Sequence, residues 1–152
     1  MDTHPEKETP MQVQGYLFFN GRCEEALEFY RQALGAELLM LMRYQDSPDP
    51  LPPGMVPAGA ENKIMHACLR IGATEVMASD DVCSGQRQAT GFQGFSLSLA
   101  VASEAEADRL FSALADGGQV QMPLEKTFWS PRFGMLVDRF GVSWMINVVA
   151  PE

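Results

Sequence analysis

The sequence has few of the residues on which the commonest metal and disulfide sites are built. It contains two histidines and three cysteines, and Cys23, Cys68 and Cys83 form no CxxC pair. This usage argues against a zinc site and a disulfide framework, and it indicates a reducing compartment. The expected location is therefore the cytoplasm. Long apolar runs are also missing, because none approaches the roughly 20 residues that a membrane-spanning helix needs.

Positive charge is scarce as well. Eleven basic residues stand against twenty acidic ones, which gives a net charge of −9. A protein with this balance repels a phosphate backbone, so nucleic acid is not an expected partner. The N-terminal residues lack the basic start and apolar stretch of a secretory signal, and we interpret residues 1–10 as a flexible tail. Neither a nucleic acid nor a membrane is predicted as a partner.

What the sequence does have is enough apolar material for one core. Apolar residues make up 46% of the 152 residues and charged residues 20%, which is a globular composition at the size of a single domain. We expect that domain over residues 11–152.

The same order of secondary structure occurs twice along the chain. Apolar spacing predicts a helix from Cys23 to Leu34, and the capping pattern of Ser103 and Glu106 begins a second helix. The predicted strands are Gln12–Phe19, Glu37–Tyr44, Lys63–Ile71, Thr74–Asp80, Phe95–Val101, Gln119–Met122, Phe133–Asp138 and Ser143–Val149. Each half is therefore a βαβββ module, at about residues 12–83 and 94–150, with a polar linker between them.

Residues 46–61 form a long segment with five prolines and two glycines. Proline removes a backbone donor and fixes the backbone, so the segment is neither a helix nor a central strand. Two interpretations stay open for a loop of this length: a lid over a binding site, or a disordered excursion.

Several motifs, taken in order, resemble one known family. They are Tyr16-Leu17-Phe18-Phe19-Asn20-Gly21, Ile64-Met65-His66-Ala67, Met77-Ala78-Ser79-Asp80, Phe128-Trp129 and Asp138-Arg139-Phe140-Gly141. From Gly15 to Val149 the chain resembles the vicinal-oxygen-chelate superfamily, which has the glyoxalase and bleomycin-resistance fold, and within it the PhnB-like branch with its 3-demethylubiquinone-9 3-methyltransferase-like domain. The resemblance implies an α+β fold in which two βαβββ modules form a curled mixed sheet. This sheet makes a cup around a small-molecule ligand, commonly in a homodimer.

The resemblance also implies where a metal would bind. Metal enzymes of the superfamily carry four ligands, mostly histidine and glutamate, on the first and last strand of each module. The matching positions here fall near Gly15 or Tyr16, near Met77, near Ser96 and near Met145, and a shift in alignment brings in Ser79 or Asn147. Since a divalent cation that activates oxygen prefers carboxylate or imidazole, we predict no metal and no other cofactor. A divalent metal on displaced ligands is the alternative.

His66 is the only histidine outside the tail and the one candidate catalytic residue. A histidine titrates in the range useful to a general base, although a structural role is the competing interpretation. Asp80 is a possible partner. We favour a solvated turn at Asp80-Asp81, because aspartate is a strong turn former.

The candidate ligand contacts are aromatic, thioether, hydroxyl and amide side chains, since small-molecule pockets are mainly apolar with a few polar groups. They are Tyr16, Met77, Ser79, Ser96, Trp129, Phe133, Met145 and Asn147. Trp129 lies in a predicted loop and is the best aromatic contact, whereas Trp144 and Phe133 are each favoured as core residues.

Three functional hypotheses follow from these residues. The leading hypothesis is a metal-free protein that binds a small organic molecule in the cup. The alternative is an enzyme of lyase, dioxygenase or transferase type, with displaced metal ligands or with His66 as acid and base. The third is a protein that chiefly forms a dimer interface and whose cup is vestigial. Methyl transfer itself is not expected, because no glycine-rich turn follows a strand to hold a methyl-donor nucleotide.

Overall fold

The computed structural model describes residues 10–80 and 92–149. They form β1 (Tyr16–Phe19), α1 (Cys23–Leu34), β2 (Glu37–Arg43), β3 (Ile64–Ile71), β4 (Thr74–Asp80), β5 (Leu97–Val101), α2 (Glu104–Ala115), β6 (Gln119–Glu125), β7 (Phe133–Val137) and β8 (Ser143–Val148). The duplicated βαβββ order is confirmed, and the bounds differ from the predicted ones by a few residues at strand ends. The predicted tail up to residue 9, residues 84–91 of the predicted linker and residues 150–152 lie outside the described residues.

Each module folds into its own four-stranded mixed sheet. The strand orders are β1-β4-β3-β2 and β5-β8-β7-β6, with β1 parallel to β4 and β5 parallel to β8. The α+β class is therefore confirmed. Within the described residues no strand of one sheet pairs with a strand of the other, so β1 and β5 each lie at a sheet edge.

The first helix begins at a buried carboxylate. Asp80 Oδ1 accepts the backbone N–H groups of Gly21 and Cys23, both at 2.9 Å, and Oδ2 accepts that of Ile64 at 3.0 Å. The first N–H groups of a helix have no partner within the helix, so an acceptor placed here stabilises its start. The interpretation of Asp80 as a solvated turn residue is wrong, since the side chain is buried and is committed to these three donors. Asp81 lies outside the described residues.

The end of α1 and the start of α2 have the features expected from the sequence. Gly35 stops α1 with a φ of 68°, a left-handed conformation that glycine adopts without strain. Ser103 Oγ accepts the N–H of Glu106 at 3.1 Å and so caps α2. Among the described residues, no helix is long and apolar enough to cross a membrane.

The helix-facing surfaces of the two sheets share one hydrophobic core. Leu17 and Ala78 of the first sheet and Trp144 and Ile146 of the second belong to the same buried cluster. Tyr30 of α1 packs edge-on against Trp144, with ring centroids 5.5 Å apart. The expectation that Trp144 is a core residue is confirmed. Because strand residues alternate between faces, the opposite face of each sheet is turned away from this core.

A buried carboxylate also connects the modules. Asp138, just after β7, accepts the hydroxyl of Tyr30 at 2.6 Å and the indole N–H of Trp144 at 2.8 Å. It further accepts the backbone N–H groups of Phe140 and Val142 in the turn before β8. Burial, followed by the nearby Asp138 charge, raises the pKa of Tyr30. The Tyr30 hydroxyl therefore stays protonated and remains a donor.

The proline-rich segment contains neither a helix nor a strand after the 3₁₀ turn Tyr44–Asp46, as predicted. Turn hydrogen bonds join Met55 N–H to the carbonyl of Pro52 and Ala60 N–H to that of Pro57. The interpretation of this segment as a lid stays a prediction.

Candidate functional site: the open faces of the two sheets

The face of the first sheet that is turned away from the core carries polar and aromatic side chains. We call it the first open face, and it is formed by Tyr16, Phe18, His66, Cys68, Met77 and Ser79. Tyr16 lies opposite Met77 and Phe18 opposite Ser79 across the β1–β4 ladder. On the other side of β4, Cys68 pairs with Met77, and the next step of alternation places His66 beside Ser79. Four predicted site residues are thus brought together here: Tyr16, His66, Met77 and Ser79.

His66 has a tyrosine partner rather than the carboxylate considered from the sequence. The Tyr16 hydroxyl and His66 Nδ1 share a hydrogen bond of 2.9 Å. Phe18 stacks on Tyr16, with centroids 4.8 Å apart, and is 47% exposed. The sequence analysis did not include Phe18 in the site, although Phe18 lies two residues after Tyr16 on the same strand and therefore on the same face. It did not find the Tyr16–His66 pair, whose members are 50 residues apart.

The thiol of Cys68 on this face is not set up as a nucleophile. Burial raises the pKa of Cys68, and the neighbouring carboxylate of Glu75 raises it further. A thiol attacks as the thiolate, so a raised pKa keeps it unreactive near neutral pH.

The corresponding face of the second sheet is the second open face, formed by Ser98, Ala100, Phe133, Met135, Met145 and Asn147. Ser98 lies opposite Met145 and Ala100 opposite Asn147 across β5 and β8. On the other side of β8, Met135 pairs with Met145 and Phe133 with Asn147. Ser96 lies just before β5, so the hydroxyl opposite Met145 is that of Ser98.

An aromatic series extends from this face towards solvent. Phe133 is 7% exposed and packs edge-on against Trp129, with centroids 5.5 Å apart. Trp129 is 53% exposed and packs in turn against Phe128, which is 96% exposed. Phe133 is therefore buried, as favoured from the sequence, yet it lies on the open face. Trp129, which contacts Phe133 directly, is the ring nearest to the open face that a molecule from solvent can reach.

The residues at the superfamily's metal positions can be tested against the chemistry of a metal site. Tyr16 and Met77 lie directly opposite each other, whereas Met145 lies opposite Ser98, two residues beyond the position matched at Ser96. A phenol, a hydroxyl and two thioethers do not fit a divalent cation that activates substrate oxygen, for which carboxylate and imidazole are the suitable donors. In the described ranges 10–80 and 92–149, no group of three or more histidine, cysteine, aspartate or glutamate side chains is placed to hold a metal ion.

Comparison with known proteins agrees with this architecture. The sequence profile of the family described as 3-demethylubiquinone-9 3-methyltransferase matches residues 11–147. Protein YjdN from Escherichia coli (strain K12) is 38% identical over 149 residues, which cover 93% of this chain and 98% of YjdN.

Solved structures give the same result. Protein PA1353 from Pseudomonas aeruginosa has a TM-score of 0.81 at 47% identity, covering 93% of this chain and all of PA1353. The protein from Bacillus cereus described as a putative 3-demethylubiquinone-9 3-methyltransferase, PhnB protein, has a TM-score of 0.73 at 30% identity, covering 91% of this chain and all of that one.

A more distant structure shares the fold alone. A glyoxalase/bleomycin resistance protein from Albidiferax ferrireducens T118 has a TM-score of 0.55 at 16% identity, covering 90% of this chain and 98% of its own. The family match and the shared fold together give one conclusion: this chain belongs to the 3-demethylubiquinone-9 3-methyltransferase family, is PhnB-like, and has the fold of glyoxalase/bleomycin resistance proteins.

Proposed function

We propose that this protein acts in the cytoplasm and binds a small organic molecule on its open faces, without the divalent metal of the superfamily's enzymes. The observation that carries the proposal is the identity of the two opposed pairs, Tyr16 with Met77 and Ser98 with Met145. These side chains offer aromatic, thioether and hydroxyl contacts, which suit an organic ligand far better than a hard cation. Trp129 and Phe133 supply the aromatic wall.

The proposal is binding rather than the methyl transfer in the family's name. A methyltransferase must hold a methyl-donor nucleotide, and a glycine-rich turn after a strand is a usual way to do so. The sequence of this chain contains no GxGxG turn of that kind.

A second copy of the chain is part of the proposed arrangement. Each open face is a single four-stranded surface, and β1 and β5 each have one edge without a partner strand among the described residues. Unpaired strand edges and exposed aromatic rings such as Phe18 and Trp129 favour association. Two copies that place one open face against another enclose a ligand that a single face leaves in solvent. Sedimentation equilibrium that returns the mass of one chain at micromolar concentration contradicts this arrangement.

A thermal-shift screen of small organic compounds tests the binding. A compound that binds the folded state raises the melting temperature, and its affinity is then measured by titration. We expect Trp129→Ala to weaken binding by about tenfold or more, since loss of an aromatic contact costs on the order of 1.4 kcal/mol or more. Met11→Ala, before β1 and outside both open faces, removes an exposed apolar side chain and is the control. A screen without any stabilising compound favours the vestigial-cup hypothesis instead.

Equilibrium dialysis against Zn²⁺, Ni²⁺, Mn²⁺ and Fe²⁺ tests the metal-free part of the proposal. We expect less than one ion per chain for each metal, and unchanged ligand affinity after treatment with EDTA. A stoichiometric ion whose removal abolishes ligand binding would show that displaced ligands hold a metal.

The hydrogen bond between Tyr16 and His66 supports a second candidate, a metal-free enzyme. If Tyr16 donates to Nδ1, His66 carries its proton on Nε2, and the pair can give a proton to a bound molecule or take one from it. Compounds found in the screen are incubated with the protein and followed by mass spectrometry. If the protein is such an enzyme, His66→Ala abolishes turnover while binding persists, and Tyr16→Phe changes the pH profile of turnover. Turnover that is unaffected by His66→Ala eliminates this candidate.

A further inference from the structure

The amide of Asn147 is the feature of the second open face that is left incomplete. Its Oδ1 is buried and has no hydrogen-bond partner, and it is the one such side-chain nitrogen or oxygen in the part of the chain that the structure describes. The flanking residues Ile146 and Val148 point into the core, so the Asn147 side chain belongs to the open face.

The two side chains directly opposite Asn147 have nothing to donate. Its partners across the two ladders are Ala100 and Phe133, a methyl group and a phenyl ring. Buried polar groups in native proteins are nearly always paired, so an unpaired one calls for a physical explanation such as strain, a functional role, or a bound water or ion. The residue as a whole is only half-buried, so a molecule that lies on the open face contacts it, and a rotation of the amide then exposes the covered Oδ1 to a donor of that molecule.

Charge on this sheet limits which molecules are suitable. Glu125 is the only charged residue in β6, β7, β8 and β5, and it is the ladder partner of Phe133. Lys126 follows it directly, beyond the strand. A net charge of −9 adds a long-range repulsion for anions. The sheet itself therefore offers an anionic ligand no cation.

We infer that Asn147 selects the ligand through Oδ1, and that the ligand is a neutral or cationic aromatic compound with an N–H or O–H donor, such as an aromatic amine, a phenol or an amide. The ring of such a compound packs on Trp129 while its donor reaches the amide oxygen between Ala100 and Phe133. This inference rests on the proposed binding function and gives the class of its ligand.

Two probes of nearly equal shape isolate the hydrogen bond. Indole has an N–H donor, and benzofuran has an oxygen in its place. We expect the wild-type protein to bind indole about tenfold more tightly, as the loss of one hydrogen bond to a buried group predicts. In Asn147→Leu the preference disappears, and in Asn147→Asp, which keeps an acceptor of the same shape, it persists. Asn62→Leu makes the same change at an exposed loop position and retains the preference.

Protein stability gives a readout that needs no ligand. If Oδ1 has no partner, Asn147→Leu leaves the melting temperature unchanged or raises it, because an unpaired buried acceptor is removed. A melting temperature that falls by about 5 °C or more means that the amide already has a partner, and it overturns the inference.

Charged probes test the second part of the inference. Tryptamine is expected to bind several-fold more tightly than indole-3-acetate, and Glu125→Gln narrows the difference. Tighter binding of indole-3-acetate overturns the ligand class. Equal affinities for indole and benzofuran overturn the role of Asn147, because Oδ1 then bonds to water or has no partner in the complex. The proposed binding function still stands in that case. No binding by any of the four probes overturns this inference alone, whereas a flat response across the whole screen overturns the proposed function too.

Discussion

Replacing Asp138 by asparagine should weaken the whole fold, although the change is one of the smallest possible. The carboxylate is 3% exposed and accepts four hydrogen bonds: two from Tyr30 and Trp144, and two from backbone N–H groups. Asparagine has one acceptor oxygen. If that oxygen stays with the two backbone donors, the amide nitrogen faces Tyr30 and Trp144.

The two side-chain donors respond differently to this change. The Tyr30 hydroxyl can rotate and become an acceptor, but an indole N–H is a donor only, so the Trp144 N–H is left without a partner. An unpaired buried donor costs about 1–3 kcal/mol, and the remaining bonds lose the extra strength that a charged acceptor gives. The lower desolvation cost of a neutral amide offsets part of this loss. We expect Asp138→Asn to lower the free energy of unfolding by about 3 kcal/mol.

Urea denaturation followed by circular dichroism measures this free energy, and calorimetry should show a melting temperature lower by about 6–12 °C for a chain of this size. Asp116→Asn is the matched control, since the Asp116 side chain is 78% exposed and pairs with Arg139 at the surface. A surface pair contributes about 0–1 kcal/mol at most. A free energy for Asp138→Asn within about 0.5 kcal/mol of wild type refutes the reasoning. So does strict additivity with Tyr30→Phe, because residues that share a hydrogen bond should be energetically coupled.

Two further predictions concern a buried thiol and a close backbone contact. Alkylation of Cys23 by iodoacetamide at pH 8 should be at least about 100-fold slower in the folded protein than after unfolding. The Cys23 thiol has no exposed surface, and burial, followed by the charge of Asp80, raises its pKa. Peptide mass spectrometry measures the two alkylation rates, and similar rates contradict the burial of Cys23. Gly118→Ala should lower the free energy of unfolding by about 2–3 kcal/mol, because the added Cβ falls 2.1 Å from the backbone oxygen of Val137. In the control Gly15→Ala the added Cβ has no atom nearer than 3.8 Å, so the free energy of unfolding should change by less than about 1 kcal/mol. Chemical denaturation of both glycine variants checks this, and equal effects contradict the close approach.

Elements with local signals were the ones that sequence reasoning placed well. The helix from Cys23 to Leu34 was predicted with its observed bounds, because its apolar spacing and Gly35 are all read within a few residues. The strand at Thr74–Asp80 was equally local. Asp80 shows the limit of this approach. Its sequence neighbourhood resembles a turn, but its partners come from Gly21, Cys23 and Ile64, which are distant in the sequence.

The features of the candidate site also divide into those predicted from the sequence and those that only the structure shows. The resemblance to the superfamily singled out Tyr16, Met77, Met145 and Asn147, and the structure brings each of them to an open face. Pairing between strands gave what alternation could not: that Ser98 rather than Ser96 lies opposite Met145, and that Tyr16 bonds to His66. Register is a property of two strands, so one strand's sequence does not determine it.

The sequence by itself determined the duplicated βαβββ order and the buried stripe of each helix, because periodicity and composition are recorded along the chain. Only the tertiary structure decided that the two sheets share one core, that Asp138 connects Tyr30 to the turn before β8, and that Asn147 Oδ1 is buried without a donor. Those facts depend on distances between residues far apart in sequence, and such distances are fixed when the chain packs.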